Sequence, residues 1–264
     1  MARVIAVANQ KGGVGKSTAC LNLGGALSIK GKHCLLLDLD PQASLTISLG
    51  LKSVQVTLYD VLAGRKTVEE VIIRLDGYDI IPSGESLVGA EVELTSAPGR
   101  EFILREILEP LNKKYDFILM DCPPGLGLLT LNALTAANEV FIPLQVEFLA
   151  LEGMDRLLQT ISLVRRRLNP QVRITGVILN RHDNRRRLNR EVVEKIHEQF
   201  KGVVFDTTIR ENISLAEAPG FSQNIFQYKP NRQGQQTILR LLMRFWQGGV
   251  SDGKEKTSIR TRGI

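Results

Sequence analysis

Eight residues near the N-terminus carry the densest chemistry in this 264-residue chain: Lys11-Gly12-Gly13-Val14-Gly15-Lys16-Ser17-Thr18. Glycines at this spacing let consecutive backbone amides point into one concavity. A helix that begins there adds its positive dipole end, so the segment suits the oxygens of a phosphate chain. Lys16 would reach the β- and γ-phosphates as a point charge, and the Ser17 hydroxyl would complete the shell of a Mg2+ ion. The general pattern G-x-x-x-x-G-K-[ST] asks for glycine where this chain has Gln10, and the loop holds a second lysine, Lys11. Glycines alone would read as an ordinary strand-to-helix turn. The flanks argue otherwise, because an apolar strand (Val4 to Ala8) leads in and a long helical pattern leads out, as a phosphate loop requires.

Two further apolar runs end in carboxylates. Phe117-Ile118-Leu119-Met120-Asp121 delivers an acid to a strand's C-terminal end, where open α/β sheets bind ligands, and Asp121 is expected on the metal side. In Leu35-Leu36-Leu37-Asp38-Leu39-Asp40-Pro41-Gln42 the second acid lies just past the strand, where it would orient a water against a γ-phosphate. Asp38 either satisfies nearby backbone or pairs with Lys16. One Asp after an apolar strand is more often a turn or capping residue; three motifs in this order point to nucleotide chemistry.

The elements that must position these groups alternate between short Val/Ile/Leu-rich runs and longer helical patterns. This predicts an α/β fold with a mostly parallel, doubly wound sheet flanked by helices. Strands are expected at Val4 to Ala8, Cys34 to Asp38, Tyr78 to Ile81, Phe117 to Asp121, Glu139 to Ile142, Ile174 to Leu179 and Val203 to Phe205. Helices are expected at Lys16 to Ile29, Glu101 to Lys113, Leu151 to Arg167 and Arg190 to Phe200. Residues 1–247 read as one domain and 248–264 as a disordered basic tail. With 43% hydrophobic and 23% charged residues the composition is that of a globular chain, neither disordered nor membrane-spanning. The first apolar stretch is too short for a secretory leader, so a cytoplasmic location is expected. Cys20, Cys34 and Cys122 have neither paired spacing nor companion histidines, and are expected to be reduced, buried thiols.

The net charge of +6 is unevenly divided. Residues 1–160 hold 14 Lys+Arg and 19 Asp+Glu, residues 161–264 hold 20 and 9, so the second half is the basic one. Such asymmetry suits contact with nucleic acid or anionic lipid, or simply a solvated face.

Together these residues resemble the ParA/MinD group of deviant Walker A P-loop ATPases, and more closely its ParA/Soj partitioning branch. The resemblance extends through Asp38-Leu39-Asp40-Pro41-Gln42-Ala43-Ser44, Asp121-Cys122-Pro123-Pro124-Gly125-Leu126-Gly127-Leu128-Leu129, Pro143-Leu144-Gln145, Ala150-Leu151-Glu152-Gly153 and Leu215-Ala216-Glu217-Ala218-Pro219. It implies the P-loop NTPase fold, ATP and Mg2+ as bound groups, and weak intrinsic ATP hydrolysis. Two ATP-bound subunits would pack face to face, each otherwise a monomer, with Lys11 reaching the partner's phosphates. The loop residues Lys11, Gly12, Gly13, Val14, Gly15, Lys16, Ser17 and Thr18 would hold the nucleotide, Thr18 at its α-phosphate. Asp40 would position the attacking water, Asp121 the water shell of magnesium, Asn180 the adenine, and Glu147 a ribose across the interface. The dimer would bind DNA without sequence preference, associating with the nucleoid, until a ParB-type partner stimulated hydrolysis. Arg185, Arg186, Arg187, Arg210, Arg232, Arg240 and Arg244 are candidates for the DNA contacts. The chain departs from the family at Ile209-Arg210-Glu211-Asn212-Ile213-Ser214, where Ile-Pro-Arg-Asn-Val-Arg is common, so two basic positions are lost and one gained.

Two rival readings remain. A MinD-like membrane switch would use Thr237-Ile238-Leu239-Arg240-Leu241-Leu242-Met243-Arg244-Phe245-Trp246 as an interfacial helix, with Arg240 and Arg244 on one face; a helix docked on the core would look the same. A metabolic enzyme such as a nucleotide kinase or amidoligase would need a substrate pocket, and no acceptor motif is visible.

Overall fold

Strands that are apolar at every position are stable only where both faces of their sheet are covered. The computed structural model builds that arrangement. It describes residues 1–147, 154–180, 187–209, 211–228 and 233–247. In chain order the elements are β1 (Arg3–Val7), α1 (Lys16–Ile29), β2 (Cys34–Asp38), α2 (Ser44–Ser48), α3 (Leu58–Leu62), α4 (Val68–Val71), β3 (Ile73–Arg74), β4 (Asp79–Ile81), α5 (Leu87–Leu94), α6 (Ile103–Leu108), β5 (Phe117–Asp121), α7 (Leu128–Ala136), β6 (Glu139–Gln145), α8 (Met154–Arg167), β7 (Arg173–Asn180), α9 (Arg187–Gln199), α10 (Ile213–Glu217), α11 (Ile225–Tyr228) and α12 (Gln233–Gln247). A 3-10 turn at Glu109–Lys113 prolongs α6.

Among the described residues the strands form one sheet in the order β3-β4-β2-β5-β1-β6-β7. Every neighbouring pair is parallel except β3 with β4. Side chains alternate across it, as the two-residue strand period requires. Val4, Ala6, Leu35, Leu37, Ile118 and Met120 join one core with α3 through α9. Ile5, Val7, Leu36, Phe117 and Leu119 join a second core with α1, α10, α11 and α12. The expected α/β architecture is thus the one observed, and the parallel register levels the C-terminal ends of β1, β2 and β5, with Val7 and Asp38 both paired with Asp121.

The differences from the sequence reading have physical causes. β6 runs past Ile142 to Gln145 despite Pro143. Phe141 accepts a hydrogen bond from Ala8 at the end of β1, and two residues later Pro143 faces the same side beyond that end, so its missing N–H breaks no ladder. Val203 to Phe205 is not a strand; a single bridge joins Val204 to Val177. α7 (LLTLNALTA) is not marked by a helical period, because its polar residues Thr130, Asn132 and Thr135 are buried like its apolar ones, and it follows an N-cap, Gly127, that has no side chain. The short helices α2 to α5 and the two-residue β3 were also not foreseen. The C-terminal segment is α12, with Ile238, Leu241 and Leu242 buried in the second core, which favours the docked reading over the interfacial one. No helix among the described residues is long and apolar enough to cross a membrane. All three cysteines are free and buried as expected, and burial pushes each thiol pKa upward. The 248–264 tail lies outside the described residues.

Candidate functional site

Ending β1 at Val7 hands the chain to a loop that must turn sharply before α1. Gly13 (φ 73°) and Gly15 (φ 89°) take the left-handed conformations that this turn demands, and Gly15 sits directly before the helix. A side chain at Gly15 would also press on the Asn180 amide, 3.0 Å from where its Cβ would lie. Asn9, which the sequence reading passed over, anchors the loop's entry. Its amide donates to the Pro143 carbonyl at 2.7 Å, and its oxygen accepts from the Lys11 amide at 3.0 Å. An Asn immediately after an apolar strand was the signal available.

Lys16 opens α1, is buried, and donates to the Lys11 carbonyl at 3.2 Å, so its ammonium hangs within its own loop. Ser17 follows it, half-buried. Asp121, 1% exposed, lies near both, and neither of its carboxylate oxygens has a hydrogen-bond partner. Burial drives its pKa well up, the neighbouring Asp38 charge adds to this, and the nearby Ser17 hydroxyl and Lys16 charge offset only part. An orphaned carboxylate beside a lysine and a hydroxyl is a costly feature with no structural return. It fits a hydrated cation, because oxygens, water and phosphate are what Mg2+ takes. Among the described residues no cluster of three His, Cys, Asp or Glu could hold a metal by itself.

Asp38 resolves the alternative left open by the sequence: it takes backbone, not Lys16. Its oxygens accept from the Asp40 amide (3.1 Å), the Thr46 amide (2.9 Å) and the Thr46 hydroxyl (2.7 Å). Burial pushes its pKa up to about 6, with those bonds pulling against it. Asp40, 9% exposed, accepts from the Gln42 amide at 2.9 Å.

Beyond the loop a cleft of about 190 Å3 is lined by Gly13, Val14, Gly15, Thr18, Asn180 and Leu215, among others. Asn180, at the end of β7, donates to the Val14 carbonyl at 2.6 Å, and its oxygen is buried without a partner. The cleft's apolar wall from Ile209, Leu215 and Ala216 was not singled out from sequence as a binding surface. Lys11 turns outward, and its ammonium pairs with Glu147 at 2.6 Å, both half-exposed. The structure therefore brings together the loop, Asp40, Asp121 and Asn180 around one end of the sheet, and joins Lys11 to Glu147 at its rim.

Of the predicted DNA contacts, Arg240 alone has a described side chain. Arg240 is exposed on α12, beside a polar cleft of about 500 Å3 shared with Asp206, Glu211 and Gln236. Arg187 opens α9 and Arg244 lies within α12. Their side chains, and the whole of Arg185, Arg186, Arg210 and Arg232, lie outside the described residues.

Comparison with known proteins agrees with this geometry. The chain matches the AAA domain family over residues 2–174. It is 44% identical to the chromosome partitioning protein ParA of Caulobacter vibrioides, covering 90% of this chain and 92% of that one. It is 42% identical to the sporulation initiation inhibitor protein Soj of Bacillus subtilis, covering 91% and 97%. Among solved structures, a Mycobacterium smegmatis cobyrinic acid a,c-diamide synthase with bound ADP and magnesium superposes with a TM-score of 0.82 at 36% identity, covering 95% and 97%. With its phosphate loop, its acid-tipped strands and this likeness along nearly its whole length, the chain belongs to the ParA/Soj family of P-loop partitioning ATPases.

Proposed function

We propose that this protein is an ATP-gated switch for DNA segregation, a single ATPase domain over residues 1–247 that dimerises around two ATP molecules, binds DNA without sequence preference and is released when a ParB-type partner stimulates hydrolysis. The observation that carries the reading is Asp121, a buried carboxylate without a hydrogen bond, set beside Lys16 and Ser17 at the foot of a glycine loop. Bound Mg2+ would neutralise charge on the β- and γ-phosphate oxygens. Ser17 and Asp121 would hold it, Asp121 through its water shell. Backbone amides of residues 12–18 cradle the phosphates, Lys16 swings from the Lys11 carbonyl to them, and Thr18 meets the α-phosphate. Asp40 orients the attacking water, while Asn180 reads the adenine from the cleft wall. Lys11 leaves Glu147 to reach the partner's nucleotide, which couples dimerisation to charge stabilisation in trans. Once released, Glu147 is free to meet a ribose across the interface.

Binding to random-sequence duplex DNA tests this, with no nucleotide, ADP, ATP or a slowly hydrolysed analogue, for the wild type, Lys16→Ala, Asp40→Ala and Arg185→Glu. Binding confined to ATP and the analogue, lost in Lys16→Ala, prolonged in Asp40→Ala and weakened with a shallower salt slope in Arg185→Glu, supports the switch. Binding indifferent to nucleotide sinks it.

One observation favours a second reading: the Mycobacterium smegmatis neighbour is named as a cobyrinic acid a,c-diamide synthase. ATP turnover stimulated by cobyrinic acid, with no DNA or protein partner present, would favour that amidoligase chemistry.

A further inference from the structure

Asp40 is held by more than its own turn. Its amide donates to Asp38 Oδ1 at 3.1 Å. Asp38 Oδ2 accepts from the Thr46 hydroxyl at 2.7 Å. That same hydroxyl oxygen accepts from the Ser83 amide at 3.0 Å, and the Ser83 hydroxyl donates to the Asp40 carbonyl at 2.6 Å. The bonds close a ring that leaves Asp40 through its N–H and returns through its C=O. All four residues are buried.

Each bond in the ring has a fixed direction. An ionised carboxylate and a carbonyl can only accept, so Thr46 must give its one hydroxyl proton to Asp38 and receive Ser83 on a lone pair, and Ser83 must give its proton to Asp40. Neither hydroxyl has a second arrangement open to it. The two peptide units flanking the Asp40 Cα are thereby clamped. The Asp40 side chain is aimed by the Gln42 amide on Oδ1, and no hydrogen bond holds its other oxygen among the described residues. Beyond it, Ala43 sits at φ 52° and donates to the same Asp40 carbonyl at 2.8 Å. A left-handed non-glycine residue persists only where its surroundings over-determine it. The ring supplies that constraint.

Three separate parts of the chain meet here. Asp38 ends β2, Thr46 lies in α2, and Ser83 follows β4, whose Ile81 pairs with Leu37. Pro82 stiffens the step from β4 to Ser83. A ring drawn from three elements and closed on one residue does more than fill polar groups.

We infer that Thr46 and Ser83 are positioning residues for hydrolysis, fixing Asp40 through its own backbone so that its free oxygen meets the attacking water. This rests on the assignment of Asp40 above. A displacement of about 1 Å can cost about 100-fold in rate, so loss of either hydroxyl should lower kcat at least tenfold without changing where nucleotide binds.

The test is ATP hydrolysis under single-turnover conditions, with nucleotide affinity measured in parallel. Variants are Thr46→Val, Thr46→Ser and Ser83→Ala, each with Asp40 intact and in an Asp40→Ala background. Expected are a kcat lowered at least tenfold in Thr46→Val and Ser83→Ala, ATP affinity within about twofold of wild type, and recovery in Thr46→Ser to within about threefold. No further loss is expected once Asp40 is alanine. If Thr46→Val does not fold, Ser83→Ala, which deletes one bond, carries the same comparison. Unchanged kcat in the threonine and serine variants beside a defective Asp40→Ala overturns the ring and leaves Asp40 standing. Equal losses with and without Asp40 overturn it too. An Asp40→Ala protein that hydrolyses ATP at the wild-type rate removes the assignment of Asp40 itself, and this inference with it.

Discussion

The ends of β2 and β5 lie side by side, with Asp38 and Asp121 paired across neighbouring strands, and the two sites meet opposite fates. Both close an apolar five-residue strand and both are buried. Asp38 accepts three hydrogen bonds, and Asp121 accepts none. What differs is the chain that follows. After Asp38 the backbone curls back, so that the amides of Asp40 and Thr46 point at the carboxylate. After Asp121 come Cys122, whose amide is committed to the Val7 carbonyl, and then Pro123 and Pro124, which have no N–H to give. One acid is thereby made an anchor for the fold, and the other is left without a donor.

If that division is right, the two aspartates separate activity from stability. Asp121→Asn should lower ATP hydrolysis by about 100-fold or more, the scale of losing one preorganised electrostatic group, with phosphate release as the readout. The same change should leave the nucleotide-free protein equally stable or about 1 kcal/mol more stable, because it removes a buried carboxyl whose charged form is only partly offset by Lys16 and Ser17. A large drop in Tm would mean that Asp121 has an unrecognised structural partner. Asp38→Ala should do the reverse to stability. It strands three buried donors, and at about 1–3 kcal/mol for each unsatisfied group, partly relieved by relaxation, a loss near 3 kcal/mol is expected in chemical denaturation.

Titration sharpens the contrast further. Burial raises the pKa of Asp38 to about 6, so the folded protein keeps that proton at pH values where the unfolded chain has released it. Between the ordinary carboxylate range and about pH 6 the folded state therefore binds more protons, and this group's contribution to stability falls as pH rises. Asp121 shifts in the same direction. Denaturation midpoints followed across that window should show a shallower decline in Asp38→Asn than in the wild type. An identical slope would mean that the carboxylate stays ionised throughout.

Much of this was legible in the sequence, for identifiable reasons. The phosphate loop and the acids at 38, 40 and 121 announce themselves because strand, turn and chemistry are contiguous. The boundaries of α1, β2 and β5 follow from apolar runs broken by glycine or charge. The Thr46–Ser83 link was not legible, since it joins residues 37 apart through the β2–β4 pairing, and a lone Thr and Ser carry no pattern. Nor was α7, whose buried Thr130, Asn132 and Thr135 leave no polar face to mark the helical period. The difference between Asp38 and Asp121 could have been anticipated in part, because Pro123-Pro124 signals a missing pair of donors.

A third carboxylate, Glu147, sets the lower end of the scale. Its pair with Lys11 is close, 2.6 Å, yet both side chains are nearly half exposed. Water screens such a pair and holding two long side chains together costs entropy, so Glu147→Gln should change folding stability by less than about 0.5 kcal/mol. Any effect should vanish at high salt. A loss of 2 kcal/mol or more would show that the pair is structural, and Lys11 could then not leave it freely. A negligible loss would instead mean that Lys11 is tethered only weakly at the rim, free to leave it, as the proposed dimer requires, at little cost to its own fold. The bare acid within the site and the loosely held lysine at its edge would then be two parts of one arrangement, neither of them firmly tied within its own chain.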